Sequence, residues 1–535
     1  MSEREGSQRE RTQREREGSQ RERGARSAEE LPPRRWRPDV VLLAVLATTA
    51  FGILLGYLSK TPCTGPPYDA YGISANLGAK KYSDLCYSDV QQLWVGRGVR
   101  EHVFPYLTGR LEPSDRPEGN LVGGAVEYPV VTGVFMWLAG LGASTDGDYL
   151  RTTALLLAPF GLLTAGLLAR LAGWRAFIWA AAPALVLYSV HNWDFLATAC
   201  VVGAVWAWAR GRPGGAAMLL GLGAATKIYP GFLALPLLLE RLALRDIRGA
   251  ARVVAGTGGV WAAINVPVLL ANPGGWWATY AYQAGRAADL TTNSIWYWGF
   301  PDLGGDQVNR WSAALIAASW TLAVLLGWAI ARRTGRYPWL QVGAALLASF
   351  LLFNKVYSPQ YVLWLLPFFV LLQVRWGWWV SYLAVDLLLY VGLFRWYYDI
   401  TQGGDFGVAK QAAVLGVWGK AVLLALLYVV FLRSSSVVPD PSDGHDPPPS
   451  QDPSDPSDPS EAAHGSRDPA CASTSGPRSS APSSTPPAGS SAEVPVVPSA
   501  ARTGSRSGRS TSRTTSAAST TSARSRSSTA RRNQS

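Results

Sequence analysis

The chain has 535 residues, 48% of them apolar, with 23 Trp and only 16% charged. Its net charge of +12 invites nucleic-acid binding, but the excess sits in the tails and in short loops, where Lys and Arg orient membrane helices; no nucleic-acid partner is expected. Four cysteines and four scattered histidines suit neither a disulfide scaffold nor a zinc site, and no glycine-rich phosphate loop joins a strand to a helix.

Residues 1–37 are charged and repetitive, with Arg-Glu-Gly-Ser-Gln-Arg-Glu-Arg at Arg4–Arg11 and again at Arg16–Arg23. Such a segment cannot bury a core and is expected to be a disordered tail. Arg34, Arg35 and Arg37 precede the first apolar run, Val40–Leu58, and put this tail in the cytoplasm. The long polar stretch Lys60–Asn120 then falls outside. Further apolar segments follow near 122–142, 152–171, 175–190, 194–209, 214–239, 253–271, 311–331, 339–353, 360–374, 377–394 and 409–432. They predict an all-α polytopic transmembrane helical bundle of about 11 to 13 membrane segments, with a long first extracytoplasmic loop at 60–120.

The 214–239 segment holds Lys227-Ile228-Tyr229-Pro230 in its middle and arginines on both flanks, Arg210 and Arg212 before it and Arg241, Arg245 and Arg248 after it. That pattern suits a broken, hairpin-like pair whose turn lies outside. The same reasoning puts 272–309, 354–360, 395–407 and His191–Asp194 outside, and Arg332, Arg333, Arg336 and the C-terminus inside. Between 120 and 191 three apolar stretches lie where an even number of crossings is required, so one should lie in the interface or re-enter. After Arg433 the composition turns to Pro, Ser and Asp, then Ser, Thr and Arg. Residues 38–433 are thus read as one membrane domain, and 434–535 as a second disordered cytoplasmic tail.

Several residues carry chemical promise. Asp89 precedes the amphipathic Val90-Gln91-Gln92-Leu93-Trp94. It reads either as the N-cap of an interfacial helix or as a carboxylate held at the membrane boundary to act as general base; Asp84 is the second candidate. Cys63 and Cys86 share the loop and are either bridged or two free thiols. Glu127 and Tyr128 open an apolar run, where a carboxylate should face a cavity. His191, Asn192 and Asp194 interrupt two apolar runs, as helix caps or as a polar shell facing the first loop. Lys227, Lys355 and Arg395 each read singly as snorkelling cations and together as a phosphate-binding set. Tyr357, Gln360 and Tyr361 could meet sugar hydroxyls. Trp296, Tyr297 and Trp298 could stack on a sugar face or belong to an interfacial aromatic belt.

Ser88-Asp89-Val90 with Arg97-Gly98, Pro105-Tyr106-Leu107, Glu127-Tyr128-Pro129, Asn192-Trp193-Asp194, Lys227-Ile228-Tyr229-Pro230 and Asn354-Lys355-Val356-Tyr357-Ser358-Pro359-Gln360-Tyr361 stand in this order at span ends. Together they resemble the actinobacterial integral-membrane glycosyltransferases of family 87, the polyprenol-phosphate-mannose-dependent alpha-mannosyltransferase-like group of the GT-C superfamily. The resemblance covers about Arg37 to Arg433 and implies a GT-C fold. It also implies a polyprenyl-phosphate sugar as donor, mannose by analogy, and a glycolipid or cell-envelope glycan as acceptor. The site would be extracytoplasmic, in a multi-pass protein of the cell membrane among membrane lipids. No cofactor and no metal-ligating residue is implied, although some GT-C relatives use a divalent metal. By position Asp89 matches the family's first-loop base, but no Asp-Asp or Asp-Glu pair is present, which keeps Asp84 beside it. Lys227, Lys355 or Arg395 would stabilise the departing phosphate. A transporter or flippase of lipid-linked sugars is the alternative that broken helices would suit; it has no need of the acid-bearing loop.

Overall fold

Apolar runs of spanning length satisfy their backbone in lipid only as helices. The computed structural model, which describes residues 38–404 and 407–439, is accordingly a polytopic helical bundle. The tails expected at 1–37 and from 440 onward lie outside the described residues. Among the described residues six helices are long and apolar enough to cross a membrane: Asp39–Cys63, Asp146–Ala180, Ile247–Ala271, Gly305–Thr334, Trp376–Thr401 and Val408–Arg433. Shorter apolar helices, among them Asp194–Ala209, Pro213–Ala224, Trp339–Phe353 and Pro359–Leu371, alternate with them.

The broken segment is broken at the expected place. The helix Pro213–Ala224 ends in a turn in which the Lys227 amide bonds to the Gly223 carbonyl at 2.8 Å, and helix resumes at Tyr229–Phe232 and Ala234–Ala243. Pro230 has no N–H to give and starts the new helix within its first turn, where that loss is harmless.

The uneven count between 120 and 191 has a simple cause. The helix Val130–Gly140, at 11 residues, is about 16 Å long, too short to cross. Its first turn is tied to the broken segment's turn, by Val131 N to Ala225 O at 2.9 Å and Thr132 Oγ1 to Thr226 O at 2.7 Å. Its last residue meets the first loop, His102 Nε2 lying 2.9 Å from Gly140 O. Both ends are therefore tied to one face of the bundle, which fits the segment expected to lie in the interface or re-enter. The short segments Gly173–Ala176, Phe177–Ala180 and Pro183–Tyr188 pack along the first helix, where Gly52 and Gly56 leave room for Leu185 and Ser189.

The opposite face is closed by Arg175, which donates to the carbonyls of Phe369, Val370 and Leu372 at 2.8, 2.9 and 2.6 Å. Beside it, residues 434–439, assigned from sequence to the tail, are instead paired. Gln373 N donates to Ser435 O at 2.8 Å and Val437 N to Leu371 O at 3.0 Å. A helix ending at Leu371 leaves free backbone groups, and the chain leaving the last helix, Val408–Arg433, satisfies some of them.

The first loop is a folded cap. It holds the helices Ala75–Lys80 and Asp89–Gly96 and a two-stranded antiparallel hairpin that pairs Leu111 with Leu121. Cys63, just past the first helix, is disulfide-bonded to Cys86, with a Cα–Cα distance of 5.7 Å. Asn272 fastens the cap to the bundle, its Nδ2 donating to the carbonyls of Tyr106, Leu107 and Gly109 within 3.1 Å. Closing the 23-residue separation between the cysteines is worth about 3 kcal/mol in the chain-entropy account. Cys63→Ser should therefore lower the melting temperature of the purified protein, and reductant should lower that of the wild type but not of the variant.

Candidate active site

A cavity of about 370 Å³ opens between the first loop and the helix ends on one face of the bundle. Its walls include Asp89, Glu127, Tyr128, His191, Asn192, Lys227, Gln360 and Tyr361, so most of the residues singled out in the sequence meet here from five separate stretches of chain.

Asp89 opens the helix Asp89–Gly96, but the N-cap expected of it belongs to Ser88, whose Oγ accepts from the Val90 amide at 3.2 Å. The same hydroxyl donates to Val190 O at 2.7 Å, and the Asp89 amide donates to His191 O at 2.9 Å. With capping done by Ser88, the carboxylate turns into the cavity at the positive end of the helix. Its Oδ1 accepts from the Tyr87 hydroxyl at 2.8 Å; its Oδ2 accepts from Asn192 Nδ2 at 2.7 Å and from Gln360 Nε2 at 3.5 Å. Burial and the adjacent Asp89 charge push the Tyr87 phenol well above its ordinary range, which keeps it a donor. Asp84, by contrast, is exposed, takes a bond from Ser83 at 2.8 Å and does not line the cavity.

Asn192 is the hub below Asp89. Its Nδ2 also donates to the Tyr128 hydroxyl at 2.8 Å, and its Oδ1 accepts from Lys227 Nζ at 2.9 Å. The Lys227 ammonium is paired with Asp194 at 2.8 Å and sits 5.1 and 5.7 Å from the Tyr128 and Trp364 ring centres. Asp194, fully buried, also accepts from Trp364 Nε1 at 2.6 Å. Expected as a cap, it makes no capping bond and instead neutralises the lysine beneath the site. Glu127 is likewise occupied, paired with Arg97 at 2.5 Å. Burial, then the charges of Lys60 and Lys227, holds His191 well below its ordinary pKa, so its ring is neutral. His191 lines the cavity, and its carbonyl takes the Asp89 amide.

Other expectations fail for identifiable reasons. Lys355 does not line the cavity: its ammonium donates to Ala284 O and Asn309 Oδ1, both at 2.7 Å, and burial with nearby Arg286 lowers its pKa to about 8. Arg395 is exposed, because the helical step of about 100° from the cavity-lining Phe394 turns it outward. Tyr357 points away into the bundle, its hydroxyl accepting from Lys420 Nζ at 2.5 Å. Trp296 is buried with its Nε1 on Phe353 O at 2.8 Å, and neither it nor Tyr297 nor Trp298 reaches the cavity.

The lining residues that sequence reasoning missed are aromatic and cationic. Tyr82, Tyr87, Phe394 and Tyr397 form an aromatic shelf, with neighbouring ring centres 5.4 to 6.3 Å apart. Arg97, Arg116 and Arg286 line the cavity as well. Arg286 follows the helix Pro273–Gly285 and reaches Thr291 Oγ1 at 3.3 Å. Its signal was available: an arginine in a loop read as external runs against the usual charge bias.

A polytopic helical bundle with a carboxylate between an aromatic shelf and a cationic rim has the equipment of a membrane-embedded transferase for a polar substrate. Residues 127–354 match the sequence model of glycosyltransferase family 87, so this part of the chain is similar to membrane glycosyltransferases. The matched stretch contains Glu127, Asn192, Asp194, Lys227 and Arg286, whereas Asp89 and Gln360 lie outside it. No curated protein matches the chain.

Removing one member of a buried ion pair strands the other charge and costs about 3–5 kcal/mol. Lys227→Met and Asp194→Asn should each lower the melting temperature steeply. Their combination should recover most of the loss, which a double-mutant cycle on the purified protein measures.

Proposed function

We propose that the chain transfers a hexose, mannose by analogy with the family, from a polyprenyl-phosphate donor to a sugar hydroxyl of a glycolipid or cell-envelope glycan, with Asp89 as general base. The observation that carries this reading is the state of the cavity's carboxylates. Of the two that line it, Glu127 is neutralised by Arg97, while the hydrogen bonds to Asp89 among the described residues come from neutral donors, Tyr87, Asn192 and Gln360. A base fixed in direction but not ion-paired can still accept a proton.

The acceptor ring stacks on the shelf of Tyr82, Phe394 and Tyr397, and the donor phosphate faces Arg286. The acceptor hydroxyl attacks the anomeric carbon as its proton passes to Asp89. The bond from that carbon to the phosphate oxygen breaks on the opposite side, so configuration inverts. The departing lipid phosphate carries the negative charge, which the planar guanidinium of Arg286 takes by paired hydrogen bonds. Arg286 replaces Lys355 and Arg395 in this role, since neither reaches the cavity. The site faces away from the cytoplasm, an orientation favoured by the arginine-flanked short loops on the opposite face and by the disulfide beside the site.

Transfer from a labelled polyprenyl-phosphate mannose by the reconstituted protein tests the reading. Asp89→Asn should lower kcat by about a thousandfold, within the range for a lost general base, and Asp84→Asn should leave it unchanged. Arg286→Gln should raise the donor KM about tenfold, the equivalent of one charged hydrogen bond. Full activity in Asp89→Asn would refute the mechanism. Absence of transfer by the wild type across several lipid-linked donors and acceptors, with movement of the lipid across vesicles, would replace it with transport.

A further inference from the structure

The bundle buries one further ion pair that takes no part in the cavity. Asp386 and Lys420 stand on the last two long helices, Trp376–Thr401 and Val408–Arg433, and each side chain is 2% exposed. Those helices touch backbone to backbone, because a Cβ at Gly392 would lie 2.6 Å from Ala413 N and one at Gly416 2.7 Å from Leu389 Cα. A lysine and an aspartate this deep in a bundle are costly, and simple adhesion does not explain them: an apolar pair of the same volume would hold the helices as well or better.

The direction of the bonds supplies a reason. Lys420 Nζ bonds to Asp386 and donates to the Tyr357 hydroxyl at 2.5 Å, and that hydroxyl lies 3.2 Å from the hydroxyl of Tyr382. Tyr357 belongs to the connection that follows the helix Trp339–Phe353. The next residues, Ser358, Pro359, Gln360 and Tyr361, line the cavity, and Gln360 reaches Asp89. The Tyr357 amide also donates to Thr292 O at 2.6 Å, between Thr291 and Asn293, which line another part of the wall. One residue thus ties two loops together, through its backbone, and the ion pair holds its side chain.

We propose that Asp386, Lys420 and Tyr357 are a positioning unit: the ion pair clamps the Tyr357 hydroxyl, and Tyr357 sets the wall that carries Gln360 against Asp89. The charged pair is retained because an ammonium locked by a carboxylate aims a proton donor at one point, which an apolar pair cannot do. This inference rests on the proposed transfer reaction for its kinetic consequence, though not for its structural one.

The test uses the full-length protein in lipid nanodiscs. Tyr357→Phe removes only the hydroxyl. Lys420→Met alone would strand Asp386 as an unpaired buried charge and destabilise the fold, so the paired Asp386→Leu/Lys420→Met variant removes both charges together. Misplacing a group that orients the reacting centre by about 1 Å costs up to a hundredfold. Both variants should therefore lose about tenfold or more in kcat per folded molecule, with donor KM within about twofold. In a Cys200→Ser/Cys471→Ser background, Gln360→Cys should react severalfold faster with a water-soluble maleimide when Tyr357→Phe is added. Wild-type kcat in both folded variants, or an unchanged labelling rate, would overturn the proposal. If the wild type transfers no sugar but the labelling rate rises as described, the positioning unit stands and the transferase reading falls.

Discussion

The site depends on a junction between two chain segments 102 residues apart, Ser88–Asp89 and Val190–Asn192. A side-chain hydroxyl, a backbone amide and a carboxylate on one segment bond to two carbonyls and a carboxamide on the other. Each bond is worth about 1 kcal/mol net, but together they decide where the first loop lies relative to the helices. The disulfide from Cys63 to Cys86 ends three residues before Asp89, so the covalent tie and the polar junction bracket the same short stretch. The second segment is anchored in turn, since Asn192 rests on Lys227 and Lys227 on Asp194. A carboxylate in the first loop thereby acquires the rigidity of the bundle.

The distribution of positive charge follows from the same arrangement. Lys227 serves Asp194, Lys355 serves a carbonyl and an amide oxygen, Arg97 serves Glu127, and Lys60, fully buried, donates to Tyr390 at 2.8 Å. Each has an internal partner that stabilises the bundle. Arg286, just past the helix Pro273–Gly285, makes one long side-chain hydrogen bond among the described residues, to a threonine hydroxyl. The difference in hydrogen-bond occupancy separates cations that build the site from one that is able to serve an anionic ligand.

Much of this was legible in the chain. Runs of about 20 apolar residues announce membrane helices, and arginines on both flanks of 214–239 announced the break at Lys227. The polar residues at span ends, Asp89, Glu127, Asn192, Lys227 and Gln360, do come together. What sequence could not give was the direction of side chains within a stretch. Ser88 or Asp89 could each cap a helix, and only the docking of Ser88 onto Val190 decides between them. Tyr357 and Gln360 lie three residues apart, yet one faces Lys420 and the other Asp89. Nor does hydrophobicity distinguish a helix that crosses from one that re-enters. Val130–Gly140 is as apolar as its neighbours, and its length and its ties to His102 and Ala225 reveal its course.

The short helices around the cavity also set its depth. Val362–Leu371 has 10 residues, Pro213–Ala224 has 12 and Asp194–Ala209 has 16, whereas Asp146–Ala172 has 27 and Gly305–Thr334 has 30. At 1.5 Å per residue the first three rise about 15, 18 and 24 Å, less than the roughly 30 Å of a hydrocarbon core. Their cavity-facing ends, at Tyr361, Lys227 and Asp194, consequently stop below the level reached by the long helices. In the proposed orientation the floor of the cavity is a basin sunk into the outer leaflet. A lipid-borne phosphate would approach such a basin sideways at the depth of its own headgroup, with its hydrocarbon tail still in the bilayer, while a water-borne glycan would have to descend from above. The two substrates would then enter by perpendicular routes and need not pass one another.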